Sequence, residues 1–257
     1  QMPSYKAAMN TIYEDSYGRW RKAVFVTGII SAGIILNIGA RPREETDQKI
    51  FVEVTHGDIT SDSRTDAAHI VSKVGDLVKA YAKSNHYTRT DFLEVIHIMD
   101  TDGTYISDDH VEENPEVTNG PKYTLRSIET SRPDLIIARN HRKSSNMNRL
   151  QSQNKVWTSI PYRAYYMSCN LDHVLHDKLN STDDDKENDA YHFAMKYKDH
   201  LKEFLAFLCD SDFSVVNDYA ESWDYIREDV HSLERHSNLG ICFKDIRQKF
   251  DKDKEEE

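Results

Sequence analysis

The stretch VIHIMDTDGTYI, residues 95–106, decides how this sequence is interpreted. An apolar run ends there in Asp100 and Asp102, which are separated by one residue and followed by Gly103. A short apolar run bounded by turn residues is typical of a buried strand, and glycine lets the chain turn sharply away. Residues i and i+2 of an extended segment point the same way, so both carboxylates are predicted to converge just past the strand.

Two converging carboxylates call for a positive charge. They repel each other and stay ionised together only beside a cation or another positive group. Mg²⁺ and Mn²⁺ prefer oxygen ligands, so we predict that Asp100 and Asp102 bind one of these ions. The alternative is an exposed Asp-Thr-Asp-Gly turn, because aspartate and glycine are common turn residues.

Strands and helices alternate around this stretch. KAVFV (22–26), KIFVEVTHG (49–57) and FLEVIHIM (92–99) are predicted strands, and apolar residues three and four apart predict a helix from Ser61 to Ser84, capped by Ser61 or Asp62. The alternation favours an α/β fold with a mainly parallel sheet flanked by helices. Ligands of such sheets bind outside the carboxyl ends of the strands, where the aspartates lie.

The rest of the chain is predicted as follows. PDLIIARN (133–140) is a fourth strand, HRKSSNMNRLQSQNK (141–155) is polar and exposed, RAYYMS (163–168) is a strand, and NLDHVLHDKLN (170–180) is a helix. The C-terminal part is helical, with Gly240 as a helix stop. The acidic stretch 181–189 divides an α/β domain (1–180) from a helical appendage (186–250), and residues 251–257 form an acidic tail.

Basic residues are concentrated in one region of an acidic protein. Residues 121–163 carry nine Lys and Arg against two acidic residues, a net charge of +7, whereas the whole chain carries −11. Such clustering is typical of a phosphate or polynucleotide surface, and we predict nucleic-acid contacts from Arg139, Arg142, Lys143 and Arg149. A solvated loop is the alternative.

The sequence favours a cytoplasmic protein. Its three cysteines have neither disulfide nor metal-site spacing, which suits a reducing compartment. Residues 23–40 are uncharged, but they contain three glycines besides Thr27, Ser31 and Asn37. We predict a strand, a tight turn and a buried helix there, and no membrane span.

The order of these elements resembles the Toprim domain. In that family a strand ending in Glu-Gly, a helix, a second strand and helix, and a third strand ending in Asp-x-Asp follow one another, as do VFVTG, IISAGIILNIGA, KIFVEV, the helix from Ser61 and VIHIMDTDG. YYMSCNLDHVLHD resembles the later segment of the RloB and AbiL-like Toprim proteins of phage-defence systems, with Asp172 as its acidic residue. The resemblance implies metal-dependent phosphodiester cleavage in nucleic acid, in a phage-defence or mobile-element setting, and leaves room for a partner protein.

One position departs from the Toprim pattern. Thr27 stands where the family has a glutamate that binds metal or acts as a general acid or base, and Glu53 on the neighbouring strand is the candidate replacement. The first hypothesis is therefore a metal-dependent nuclease with Asp100, Asp102 and Glu53 as catalytic residues. The second is a Toprim relative that has lost catalysis and acts as a binding or regulatory module.

DTDGT (100–104) also resembles the first motif of the haloacid dehalogenase-like phosphohydrolases. That resemblance implies phosphoryl transfer with Asp100 as the nucleophile and Asp102 as the acid/base. The motif usually opens the domain, however, and two predicted strands precede it in this chain. The order of elements therefore favours the Toprim hypothesis.

Overall fold

The computed structural model of the protein describes residues 22–27, 49–54, 58–197, 200–215 and 218–252, the first two segments by their backbone alone. The strands are β1 (Lys22–Thr27), β2 (Lys49–Val54), β3 (Phe92–Asp100), β4 (Val111–Glu113), β5 (Lys122–Tyr123), β6 (Ile128–Thr130), β7 (Lys155–Val156) and β8 (Ile160–Met167). The helices are α1 (Ile70–Ser84), α2 (Pro133–Gln151), α3 (Leu171–His176), α4 (Asp183–Tyr197), α5 (Leu201–Asp210), α6 (Tyr219–Arg227) and α7 (Leu239–Lys252).

The main sheet has the order β2-β1-β3-β8-β7. The first four strands pair in parallel, and the short edge strand β7 runs antiparallel to β8. The predicted α/β class is thereby confirmed. The chain moves from β1 outward to β2 and then returns to the other side of β1 as β3, which creates a switch point between β1 and β3. Ligands bind in the crevice at the carboxyl ends of strands at such points, and Asp100 is the last residue of β3.

A second, three-stranded sheet with the order β4-β6-β5 follows β3. Strands β4 and β6 pair in parallel, whereas β5 and β6 pair antiparallel. Residues 111–123 therefore begin and end with a short strand. This small sheet precedes α2 in the chain, and α2 packs beside it.

The predicted strand at 133–140 is wrong, because these residues begin the 19-residue helix α2. Pro133 occupies the first turn, where its missing N–H costs nothing, and Asp134 complements the positive end of the helix dipole. The segment predicted to be polar and exposed continues the same helix. The inward face of α2 is mostly polar, and its buried residues are Asn140, Lys143, Asn146, Met147 and Leu150.

Helix α1 begins at Ile70, nine residues after the predicted start. The expected cap fails because the Asp62 carboxylate instead accepts hydrogen bonds from the Arg64 backbone (3.0 Å) and from the side chains of Arg64 and Lys73. Residues 58–69 consequently form a series of turns that precede α1.

Two apolar cores cover the two faces of the main sheet. Alternate residues of β3 point to opposite faces, so Val95 and Met99 pack with α1 and α2, whereas Ile96 and Ile98 pack with the C-terminal helices. The predicted helical appendage therefore shares its core with the sheet. The acidic stretch 181–189, predicted as a linker, contains the start of α4.

Gly240 lies in the first turn of α7 and does not end a helix, contrary to the prediction. A Cβ atom at this position would lie 3.0 Å from the Leu208 carbonyl oxygen, so glycine allows α7 to approach α5 closely. The predicted strand at the start of the uncharged run 23–40 is confirmed as β1, but its predicted glycine-rich helix lies outside the described residues. Within the ranges that the structure describes, no helix is long and apolar enough to cross a membrane.

Candidate active site

The backbone beyond β3 is fixed by its neighbour β8. The Thr101 amide donates to the Met167 carbonyl (2.9 Å), and the Asp102 amide donates to the Cys169 carbonyl (2.7 Å). Asp102 and Gly103 then have positive φ angles of 49° and 65°, which turn the chain sharply away from the sheet. These bonds hold the aspartate pair at the carboxyl edge of the sheet.

Residues 232 and 233, more than 100 positions later in the chain, also support this turn. The Ser232 carbonyl accepts hydrogen bonds from the Thr101 hydroxyl and from the Cys169 amide, both at 2.9 Å. A Cβ atom on Gly103 would lie 2.5 Å from Cδ2 of Leu233, so this position accepts only glycine without a shift of the neighbour. The turn that carries Asp102 is therefore packed against residues near position 232.

A lysine side chain lies at the centre of the site. Lys143 is wholly buried, and its Nζ donates to Asp58 Oδ2 (2.6 Å) and to the Asp102 carboxylate. Burial by itself would lower the pKa of Lys143, but Asp102 and Asp58 raise that pKa above its ordinary value. The ammonium group is therefore a permanent positive charge between two carboxylates.

Asp58 is the second partner of this lysine. Its Oδ1 atom accepts hydrogen bonds from the Thr60 amide (2.8 Å) and the Thr60 hydroxyl (2.6 Å). Burial would raise the pKa of Asp58, but the charge and hydrogen bond of Lys143, together with the bonds from Thr60, hold it far below the usual value. Asp58 is consequently ionised across the physiological range.

Asp100 differs from both of these aspartates. The residue keeps partial exposure, but its Oδ1 atom is closed to solvent and has no hydrogen-bond partner in the part of the chain that the structure describes. Burial first, and then the charges of Asp102, Asp58 and Asp172, raise the pKa of Asp100 well above its ordinary value, against the opposing charge of Lys143. This carboxyl group therefore holds a proton more strongly than a free aspartate does.

Asp172 lies at the start of α3, where the Toprim resemblance implies an acidic residue. It is buried, and its charge contributes to the raised pKa of Asp100. Burial also raises the pKa of Asp172 itself. Cys169 lies near the same aspartates, and burial followed by their charges raises the pKa of its thiol, so Cys169 is not an activated nucleophile.

The predicted nucleic-acid residues do not share one surface. Lys143 does not fit its predicted role in nucleic-acid contact, because its side chain points into the protein and binds two carboxylates. Arg139 is partly buried and donates from Nη2 to the Asp102 carbonyl oxygen (2.9 Å) and from Nη1 to the Tyr123 hydroxyl (3.0 Å).

Arg142 and Arg149 reach the outside of α2. Arg142 is partly exposed and donates to the Ser61 carbonyl (3.1 Å from Nη2), while Arg149 is exposed. Two of the four predicted basic residues, Arg139 and Lys143, therefore bind Asp102 inside the site. The other two, Arg142 and Arg149, face outward.

The predicted Glu53 side chain lies outside the described side chains, although its backbone is in β2 opposite Val26. Its role stays a prediction. Thr27 ends β1 and is paired with Ile98 of β3, which places its backbone at the same edge of the sheet as Asp100.

A divalent ion fits part of this arrangement. Among the described residues no group of three or more His, Cys, Asp or Glu side chains is placed to hold a metal. The features that fit a hard cation with oxygen ligands are the Asp102 carboxylate and the Oδ1 atom of Asp100, to which no described residue donates a hydrogen bond. Mg²⁺ typically keeps several waters and needs only one or two carboxylates, so two aspartates suffice for it.

The sequence predicted Asp100 and Asp102 but missed Asp58 and the role of Lys143. Asp58 lies in HGDIT, which matches no recognised motif. Lys143 could have been found only by reading 133–151 as a helix, on which residues 140, 143, 147 and 150 share one face. Comparisons with protein-family models, with curated proteins and with solved structures find no match to this chain.

Proposed function

We propose that this protein is a Mg²⁺- or Mn²⁺-dependent phosphodiesterase that cleaves nucleic acid, with Asp100 and Asp102 as the metal ligands. The observation that carries the proposal is the buried Oδ1 of Asp100, which has no hydrogen-bond partner among the described residues and lies beside Asp102 at the carboxyl end of a central parallel strand. An unpaired buried polar atom is costly, and a cation at this point would remove that cost and the repulsion between the two carboxylates.

The chain's own residues would divide the work as follows. A bound divalent ion supplies polarisation of the phosphodiester and activation of a water molecule. Asp100 and Asp102 would hold the ion, and Lys143 keeps the Asp102 carboxylate in place through its hydrogen bond. Arg142 and Arg149, on the outer part of α2, would neutralise the nucleic-acid backbone.

The order of the elements supports the same proposal. The α/β fold, the paired β1 and β3, and the Asp-x-Asp turn past β3 are the features that the Toprim resemblance implies. By that resemblance the setting would be phage defence or a mobile element, with a partner protein. Cys169, Cys209 and Cys242 form no disulfide among the described residues, which fits the cytoplasmic location that we propose.

The direct test is cleavage of labelled RNA and DNA oligonucleotides in Mn²⁺. We expect the wild type to cleave one of them, and Asp100→Asn or Asp102→Asn to lower the rate at least about 100-fold, since loss of even outer-shell metal supports costs up to that factor. Asp108→Asn is the matched control, because Asp108 is exposed and its carboxylate pairs with His141 (2.8 Å) and not with Lys143. Equal cleavage by all of these variants would refute the proposal.

A binding module without catalysis is the second candidate. It is favoured by Lys143, which already compensates Asp58 and Asp102 without any metal. In that case no oligonucleotide would be cleaved in Mg²⁺ or Mn²⁺, and fluorescence anisotropy would show that Asp100→Asn binds nucleic acid as well as the wild type does.

The dehalogenase-like phosphatase hypothesis is less well supported. It requires an ionised Asp100 as the nucleophile, whereas burial and three neighbouring carboxylates raise the pKa of this residue. Hydrolysis of p-nitrophenyl phosphate by the wild type, abolished by Asp100→Asn, would favour that hypothesis over the nuclease.

A further inference from the structure

The position of the Lys143 ammonium group resembles that of a bridging cation. Many phosphodiester-cleaving sites use two metal ions about 3.5–4 Å apart, held between shared carboxylates. In this protein the charge of Asp102 acts on Asp100, and the Lys143 ammonium group binds both the Asp102 and the Asp58 carboxylates.

We propose that Lys143 takes the place of a second metal ion, so that the site binds one divalent ion through Asp100 and Asp102 and not two. This inference rests on the proposed function. It adds a stoichiometry to that function and assigns Lys143 as a positioning residue, because it acts through the Asp102 carboxylate and does not contact the substrate.

The contacts of Asp58 support a fixed lysine. Both oxygens of its carboxylate are already engaged, Oδ1 by the Thr60 amide and hydroxyl and Oδ2 by Lys143 at 2.6 Å. The lysine side chain itself is 0% exposed. An ion that displaced it would leave a buried ammonium group without a partner, which is strongly unfavourable.

Charge balance leads to the same number of ions. When every carboxyl group is ionised, the four acidic and two basic side chains that interact in the site carry a net charge of −2, and one divalent ion neutralises it. These residues are Asp58, Asp100, Asp102, Asp172, Lys143 and Arg139. A second ion would leave an excess of two positive charges in a largely buried site.

The test counts bound Mn²⁺ by calorimetry and by electron paramagnetic resonance on protein first stripped with a chelator. We expect one ion per wild-type chain and two per Lys143→Met chain, with dipolar broadening of the Mn²⁺ spectrum in the variant. The double variant Lys143→Met/Asp58→Asn should return to one ion, because it lacks the carboxylate that would hold the second. Lys73→Met is the control, since Lys73 also binds an aspartate, Asp62, but outside the site.

The outcomes separate this inference from the proposed function. No Mn²⁺ on the wild type would refute the proposed function itself. Two ions on the wild type, or one on Lys143→Met, would overturn the role of Lys143 while leaving metal binding intact. If Lys143→Met folds only in Mn²⁺, with a melting temperature that rises more on Mn²⁺ addition than that of the wild type, the inference is supported. A variant that stays unfolded in saturating Mn²⁺ would overturn it.

Discussion

Replacement of Lys143 by methionine should destabilise the metal-free protein strongly. The change keeps most of the side-chain volume but removes the ammonium group that binds Asp58 and Asp102. Breaking a buried ion pair costs about 3–5 kcal/mol, because an uncompensated charge remains inside. The side chains of Asp58 and Asp102 keep 33% and 24% of their exposure, so we expect the lower end, about 3 kcal/mol.

This loss is measurable by urea denaturation in the presence of a chelator. A loss of about 3 kcal/mol corresponds to a fall in Tm of about 6–12 °C for a chain of this size. The control Lys73→Met should lose less, because the Lys73 side chain is 29% exposed whereas that of Lys143 is 0% exposed, and water screens an ion pair with an exposed partner.

The pH dependence tests the cause of the loss. In the wild type Lys143 holds the pKa of Asp58 below its unfolded value, so this stabilisation is present above about pH 4 and is lost as the pH falls through the folded pKa. Without the lysine, burial is the largest remaining influence on Asp58, and we expect it to outweigh the hydrogen bonds from Thr60 and to raise the pKa of Asp58 above the unfolded value. The stability of the variant should then fall as the pH rises through that raised pKa, and the difference from wild type should be larger at about pH 7 than at about pH 4.5. A loss below about 1 kcal/mol, or a difference independent of pH, would refute the assigned role of Lys143.

Three further predictions concern the same region. Asn146→Ala should lower the free energy of unfolding by about 1–3 kcal/mol, measured by urea denaturation. The reason is that the Asn146 side-chain amide donates to two backbone carbonyls of the 58–69 segment, which would lose their partner. An unchanged urea midpoint would contradict this prediction. The affinity for Mn²⁺ should rise with pH, because burial and neighbouring carboxylates raise the pKa of Asp100 and the ion must displace its proton. Calorimetry in buffers of different ionisation enthalpy should detect the released proton. An affinity that does not depend on pH would exclude Asp100 as a ligand. Gly103→Ala should lower the free energy of unfolding by about 1–3 kcal/mol, measured by thermal unfolding, and should also weaken Mn²⁺ binding. The cause is that φ of Gly103 is +65° and that the new Cβ atom would collide with Leu233. A variant that binds Mn²⁺ with wild-type affinity would show that the turn does not position Asp102.

The strand that carries the site was predictable, because an apolar run followed by an Asp-x-Asp-Gly turn has few other interpretations. Helix α2 was not, since Leu135, Ile136 and Ile137 form an apolar triplet that resembles a strand, while the buried face farther along contains Asn140 and Lys143. A helix whose inward face is polar for the sake of a site lacks the apolar periodicity on which sequence interpretation depends. The pairing of Lys143 with a residue 85 positions earlier in the chain could not be predicted for the same reason.

The support of the Asp102 turn by Ser232 and Leu233 has a consequence for biosynthesis. The aspartates leave the ribosome more than 100 residues before the segment that fixes their backbone. A nascent chain that already contains the sheet therefore still lacks the support of the Asp102 turn until Ser232 and Leu233 have been added. For the nuclease that we propose, such a delay would protect the messenger RNA and the ribosome during synthesis.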